Sequence, residues 1–323
     1  MPDFVEKVHD QRLKAITASI GLGNVNEFSA LQMKFPEYDS NFLWLIAYSR
    51  EDIPAQQAYV EANYKQFHKV LDSDFPRLLS QKTRFASRMW EMILCDVLSS
   101  SGELVPKKSS GADFLLRTPG GQDIQIEAIA PDEACDEGLR ARRPDYSTSN
   151  MAEVSGHIED LERPILLRVH HGIREKAGSY SRNHPLIVAI NSSKAVGFVS
   201  LDEYVLRRVL FGLGATTITR SGVVGLEQRP HLNKPGGTDF PVAVFRDPEY
   251  AHISGVIYTS QNPLGLIPGG YGWTNQGITY VPNPLASRKA DVIFPSMKRL
   301  ECDDSLYREI AAPEKFKSVV ISL

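Results

Sequence analysis

The chain has 323 residues, of which 42% are hydrophobic and 23% are charged. This length and composition predict one large or two unequal globular domains, and they exclude disordered, collagen-like and low-complexity proteins. The net charge of −3 excludes a strongly positive overall field, so any binding of nucleic acid must come from a local basic patch.

The lack of a recognisable targeting segment and the few cysteines both bear on the compartment in which the protein works. No apolar run approaches the roughly 20 residues of a membrane-spanning helix, and the charged N-terminus lacks the apolar stretch of a secretory signal. The cysteines are Cys95, Cys135 and Cys302, which are far apart and odd in number. They exclude a disulfide scaffold and a cysteine-rich zinc site. We therefore predict a cytoplasmic protein with no membrane partner.

The spacing of apolar residues in the first hundred positions predicts mostly helices. Residues 55–71 have the pattern of a surface helix, and residues 74–99 carry apolar side chains at three- and four-residue steps, the period of an α-helix. The run SSSG, which ends at Gly102, is typical of a helix terminus. We therefore predict a helical N-terminal extension over residues 1–73, followed by an α/β core over residues 74–323.

After Gly102 short apolar runs alternate with turns. Residues 112–117 and 124–130 predict two strands, and the intervening TPGGQD predicts a hairpin. The remaining predicted elements are a loop over 131–146, a helix beginning near 151, a helical segment opened by Pro164, a buried strand over 185–191, a helix over 201–211 and a strand over 253–260. This order predicts an α/β protein with a mixed sheet flanked by helices and a Gly/Pro-rich C-terminal part.

Two acids fall on the predicted hairpin. Asp113 begins one strand and Glu127 lies inside the next, where it shares a face with Gln125 and Ile129. A carboxylate in an apolar strand is costly to bury unless it is paired or binds a metal ion. If the hairpin makes Asp113 and Glu127 neighbours, their oxygens suit Mg²⁺ or Mn²⁺, with open positions for water and phosphate.

A third acid, Glu91, lies on the predicted long helix. Glu91, then Gly111-Ala112-Asp113, then Ile126-Glu127-Ala128 follow in an order that resembles the PD-(D/E)XK nuclease superfamily. The resemblance implies a restriction-endonuclease-like fold and metal-dependent hydrolysis of phosphodiester bonds in DNA. It also implies that Asp113 and Glu127 bind the metal ion and that Glu91 completes the site, directly or through water.

The resemblance extends over about residues 75–191, with a later strand at 253–260, and this chain departs from the family pattern at two positions. Ala112 stands where the family has proline, and Ile129 stands where it has the catalytic lysine. Some members supply that lysine from a following helix, and here Lys176 and Tyr180 lie four residues apart, on one face of a helix. The resemblance therefore implies that Lys176 orients water or stabilises phosphate, and that Tyr180 supports it.

A second register remains open, in which Gln125 and Glu127 take the glutamate and lysine positions of the motif. Glu127 is the expected metal ligand in either register, because its side chain ionises and that of Gln125 does not.

A basic segment over residues 163–184 predicts the DNA contact. It carries four arginines and Lys176 against Glu175 alone, and the candidates for phosphate binding are Arg168, Arg174 and Arg182. The C-terminal third is assigned no role, and it is open whether it covers the sheet edge, forms a homodimer contact or touches substrate.

Other interpretations of the same residues stay open. Glu91 pairs with Arg88 or Arg84 in one of them, and Asp113 caps a turn. Lys176 and the basic segment then form a solvated helix face. At the level of function, the alternatives are a catalytically inactive nuclease-fold module that binds nucleic acid or a partner protein, and a hydrolase of another phosphate substrate such as a nucleotide.

Overall fold

The structure is a computed structural model that describes residues 39, 42, 43, 45, 53–106, 111–131, 151–178, 183–193, 202–218, 224–233, 239–268, 277–302 and 307–309. The helices in these ranges are α1 (Ile53–Phe67), α2 (Phe75–Leu79), α3 (Phe85–Ser99), α4 (Met151–Ala177) and α5 (Asp202–Phe211). The strands are β1 (Glu103–Val105), β2 (Phe114–Arg117), β3 (Asp123–Ile129), β4 (Leu186–Asn191), β5 (Leu213–Ile218), β6 (Val224–Gln228), β7 (His231–Asn233), β8 (Asp239–Pro241), β9 (Ile253–Thr259), β10 (Thr279–Pro282), β11 (Lys298–Cys302) and β12 (Tyr307–Glu309).

Eight of the described strands form one mixed sheet, in the order β1-β2-β3-β4-β9-β10-β11-β12. Strands β3, β4 and β9 are parallel, and their outer neighbours β2 and β10 run antiparallel to them. The pairs β5–β6 and β7–β8 form separate two-stranded ladders. The predicted α/β class with a mixed sheet is confirmed, while the restriction-endonuclease-like fold stays a prediction.

Helices pack on both faces of this sheet. On one face, Trp90 of α3 shares a buried core with Ile126 of β3 and Ala189 of β4. On the other, Val169 of α4 shares a second core with Val188 of β4. Because successive residues of a strand point to opposite faces, Val188 and Ala189 assign α3 and α4 to opposite sides of the sheet.

The core under α3 joins distant parts of the chain. Phe42, near one end of the described residues, and Met297, near the other, belong to the same buried cluster as Trp90. Val60 of α1 and Phe75 of α2 also belong to it. Helix α1 lies within the predicted N-terminal extension, and the boundary after residue 73 stays a prediction.

The predicted hairpin is confirmed as β2 and β3. Its register pairs Phe114 with Ile126 and Arg117 with Asp123. In the turn, the Gly121 N–H donates to the Thr118 carbonyl at 2.9 Å, and Gly121 has a φ of 80°, which glycine adopts without a Cβ clash. The turn chemistry therefore sets the register that the two strands keep.

The single long helix predicted over residues 74–99 is wrong in its middle, because residues 80–84 separate α2 from α3. The Ser80 carbonyl accepts a hydrogen bond from the Asp39 N–H at 3.1 Å, whereas a continuous helix would pair it with Arg84. The Arg84 N–H instead donates to the Gln81 carbonyl at 2.9 Å. A contact with a distant segment thus interrupts a helix that the local pattern predicts as continuous.

The position of Pro164 also differs from its prediction, because it lies inside α4 and does not open a helical segment. An interior proline lacks the N–H that bonds to the carbonyl four residues earlier, at a cost of about 3 kcal/mol. Leu166, Val169 and Ile173 follow it and are buried in the second core. Their burial stabilises the helix by roughly 1.5–3 kcal/mol for each side chain, which offsets the proline.

The other predicted elements agree closely with the structure. The strands at 185–191 and 253–260 are β4 and β9, both buried along their length, and the helix at 201–211 is α5. The helix at 55–71 is α1, which ends at Phe67, and most of the loop at 131–146 lies outside the described residues. Strand β1 was not predicted. Among the described helices, none has the length and apolar character needed to cross a membrane.

Candidate active site

The hairpin places Asp113 and Glu127 side by side. The pairing of Phe114 with Ile126 extends by one step to bring Asp113 opposite Glu127, so both side chains belong to the same face of the sheet. The Asp113 N–H donates to Glu127 Oε2 at 3.2 Å, and the Ala128 N–H donates to Asp113 Oδ2 at 2.9 Å. Each carboxylate is therefore held by a backbone N–H from the opposite arm of the hairpin.

Helix α4 supplies a cation to this pair. Lys176 Nζ lies 2.6 Å from Glu127 Oε1. The side chains of Ile126 and Ala128 pack under α3, so Glu127 between them faces α4. One turn before Lys176, Gly172 approaches Ile129, with 3.5 Å between an ideal Cβ built on Gly172 and Ile129 Cδ1. The helix thus runs along β3, and Lys176 is the residue that reaches Glu127.

Burial makes this contact necessary. The Glu127 side chain is only 5% exposed, and an ionised carboxylate at such a position needs a partner. Lys176 and the Asp113 N–H supply one for each of its oxygens. Lys176 also lies in the last turn of α4, where the negative end of the helix dipole stabilises an ammonium group.

The donor set of Asp113 and Glu127 fits a small divalent cation. Mg²⁺ binds hard oxygen ligands and is commonly held by one or two carboxylates together with water and substrate phosphate. Among the described residues, no group of three or more His, Cys, Asp or Glu side chains could hold a metal ion. The candidate centre is therefore a pair of carboxylates, and any further ligands would be water or substrate.

Comparisons of the chain with family models, with curated proteins and with solved structures found no match. The resemblance to PD-(D/E)XK nucleases therefore depends on the residues of the motif. At one of the two departures, the partly buried Ile129 side chain packs against the core under α4, so an apolar residue stands where the motif has its lysine. Lys176, from the helix above, supplies an ammonium group to Glu127 instead.

The structure does not bring Glu91 into this group. Glu91 is buried on α3, which packs on the opposite face of the sheet from Lys176, and its Oε2 lies 2.7 Å from Arg88 Nη1. The same Arg88 nitrogen lies 2.9 Å from Asp72 Oδ2. Burial raises the pKa of the Cys95 thiol one turn further along α3, and the Glu91 carboxylate raises it further. The ion pair with Arg88 is confirmed, and metal binding by Glu91 stays a prediction.

Replacing Arg88 with methionine is expected to lower the free energy of unfolding by about 2 kcal/mol. Its loss leaves the Glu91 and Asp72 carboxylates without their shared cation, and the partial exposure of Asp72 keeps the cost below that of a fully buried pair. Urea unfolding measures the change. Arg84→Met is the control, because Arg84 is exposed and lies at the N-cap of the same helix α3. An equal loss in both variants would contradict the structural role of the Arg88 contacts.

The remaining candidate residues lie on α4, on β3 or outside the described residues. Arg168 is half-buried on α4 and Arg174 is exposed in its last turn. Tyr180 and Arg182 lie outside the described residues. Gln125 shares the face of Glu127, but Lys176 and the Asp113 N–H contact Glu127, which favours Glu127 in both registers of the motif. Sequence reasoning missed Asp72 as the second partner of Arg88, because Asp72 lies between helices α1 and α2 and carries no periodic signal.

Proposed function

We propose that this protein hydrolyses phosphodiester bonds in DNA with the help of a divalent metal ion, as an endonuclease-like enzyme. The observation that carries the proposal is the contact of Lys176 Nζ with Glu127 Oε1 at 2.6 Å, beside Asp113, which immediately precedes the adjacent strand β2. Two carboxylates and one ammonium group on rigid elements supply both the ligands of a cation and a donor to a phosphate. Such pre-positioned groups are what hydrolysis of a charged ester requires.

Each residue has a defined part in this proposal. A bound Mg²⁺ or Mn²⁺ would neutralise charge on the phosphate and lower the pKa of a water molecule. Asp113 and Glu127 would hold the ion through their carboxylate oxygens, and Lys176 would donate to a phosphate oxygen or orient the attacking water. In the reaction the water oxygen bonds to phosphorus and releases a proton. The bond from phosphorus to one sugar oxygen breaks, and that oxygen takes up a proton.

The basic residues around α4 support DNA as the substrate. Arg174 is exposed and Arg168 is half-buried on the helix that carries Lys176. Arginine side chains on this helix would bind backbone phosphates without reading the base sequence. Tyr180 and Arg182 extend the same segment in the sequence and are proposed to support the phosphate contact.

Incubation of the full chain with four substrates tests the proposal. Single-stranded DNA, duplex DNA, RNA and free nucleotides are each offered with Mg²⁺, with Mn²⁺ and with a chelator. We expect DNA to be cut only when a metal ion is present. Hydrolysis of free nucleotides alone would overturn the choice of substrate, and no cleavage under any condition would overturn the enzymatic function.

A second candidate is a catalytically inactive nuclease-fold module that binds nucleic acid or a partner protein. The observation that favours it is Ile129, because the usual lysine position packs against the core under α4. Calorimetric titration with Mn²⁺ separates the two candidates. An enzyme should show a binding event that Glu127→Gln removes, whereas no binding by parent or variant would favour the inactive module.

A further inference from the structure

The positive charge beside Glu127 in this structure is a side chain of the protein, the Lys176 ammonium. Oε1 of this carboxylate accepts from Lys176 Nζ at 2.6 Å, and Oε2 accepts from the Asp113 N–H at 3.2 Å. A divalent ion bound by Asp113 and Glu127 would therefore meet an ammonium group already seated on one of its ligands. Like charges this close repel, and the low exposure of Glu127 reduces the screening by water.

The balance of charge indicates when a divalent metal ion and the Lys176 ammonium can both lie beside Glu127. The two carboxylates carry two negative charges, which one divalent ion neutralises alone. If Lys176 stays beside the ion, one positive charge is left over next to the buried Glu127 carboxylate. A phosphodiester carries a single negative charge and would cancel that excess.

We propose that Lys176 is an exchangeable counter-ion of Glu127, which opposes metal binding in the free protein and favours it when a phosphodiester is bound. This inference rests on the proposed function, since it assumes that Asp113 and Glu127 bind the metal ion. Metal and phosphodiester then bind cooperatively, and by thermodynamic linkage each raises the affinity for the other by the same factor.

The elements that carry the two partners favour this exchange. Glu127 lies in a strand that is paired on both sides, so its carboxylate stays in place. The Lys176 side chain is 32% exposed and lies in the last turn of α4. A lysine has a flexible four-carbon stem, so its ammonium can leave Glu127 for a phosphate oxygen without movement of the backbone.

Mn²⁺ titration of the full chain by calorimetry tests the inference. The parent is compared with Lys176→Met and Lys176→Gln, each alone and with diethyl phosphate, an unreactive diester with one negative charge. Triethyl phosphate is the uncharged control ligand. Lys289→Met is the control variant, because it removes an exposed lysine whose backbone contacts Gln122, at the other end of β3.

We expect both Lys176 variants to bind Mn²⁺ about tenfold more tightly than the parent when no diester is present. Diethyl phosphate should raise the Mn²⁺ affinity of the parent about five- to tenfold and that of the Lys176 variants by much less, because only the parent has the ammonium that the diester draws away. Triethyl phosphate should change none of the affinities, and Lys289→Met should match the parent. Thermal melting checks that each variant is folded, and Lys176→Gln carries the comparison if Lys176→Met is not.

The outcomes separate this inference from the proposed function. If neither the parent nor any folded variant binds Mn²⁺, the proposed metal site itself is overturned. If the parent binds Mn²⁺, Glu127→Gln removes that binding, and the Lys176 variants bind no more tightly than the parent, only the exchange is overturned. Equal enhancement by diethyl phosphate in the parent and in the Lys176 variants would also overturn it.

Discussion

Replacing Glu127 with glutamine is expected to lower the rate of DNA cleavage in Mg²⁺ by at least about 100-fold. The substitution keeps the size of the side chain and removes the charge that would hold the ion. It also removes the negative charge that pairs with the Lys176 ammonium and leaves a neutral amide oxygen in its place. Single-turnover cleavage of a labelled duplex, with Mg²⁺ in excess, measures the change.

Two further variants make the Glu127 result specific. Glu103→Gln is the matched control, because Glu103 is exposed on the edge strand β1 of the same sheet and should keep the parent's rate. Asp113→Asn combined with Glu127→Gln should be little slower than Glu127→Gln alone, since residues that act as a unit lose their effects together. Cleavage by folded Glu127→Gln at the parent's rate would remove the metal-site assignment.

Replacing Trp90 with alanine is expected to lower the free energy of unfolding by about 3–5 kcal/mol. Trp90 is fully buried between α3 and the sheet, and its Nε1 donates to the Ala189 carbonyl of β4 at 3.0 Å. Among the described residues of this core Trp90 has the largest side chain, so the variant loses its packing and leaves that carbonyl without its side-chain donor. Urea unfolding followed by circular dichroism measures the loss.

Two milder substitutions separate packing from the hydrogen bond. Trp90→Phe keeps most of the apolar volume and is expected to cost about 2 kcal/mol, mainly from the lost donor. Val97→Ala removes a half-buried side chain later in α3 and should cost about 1 kcal/mol. A cost for Trp90→Ala as small as that for Val97→Ala would contradict the central position of the tryptophan.

The elements that the sequence predicted correctly are those with a strong local signal. The hairpin follows from a glycine-rich turn between alternating strands, and the buried strands β4 and β9 follow from continuous β-branched and apolar runs. The interruption at residues 80–84 depends on Asp39, a distant partner with no local trace. Strand β1 has only three residues, which is too short to show a period.

The candidate site also combines contacts that the sequence predicts with contacts that it does not. The proximity of Asp113 and Glu127 was predictable, because the turn sets the register that pairs them. The contact between Lys176 and Glu127 depends on how α4 packs along β3, across 49 residues of sequence, and no periodicity encodes that packing. The pairing of Glu91 with Arg88 is a local contact of three residues along one helix, and it was among the alternatives that the sequence left open.

The buried cluster that contains both Phe42 and Met297 has a consequence for biosynthesis. Translation delivers Phe42 long before Met297. The members of this cluster that are made first are therefore incompletely covered until its last members have been translated. Contacts between residues so distant in sequence also slow folding, because a long loop must close before they form.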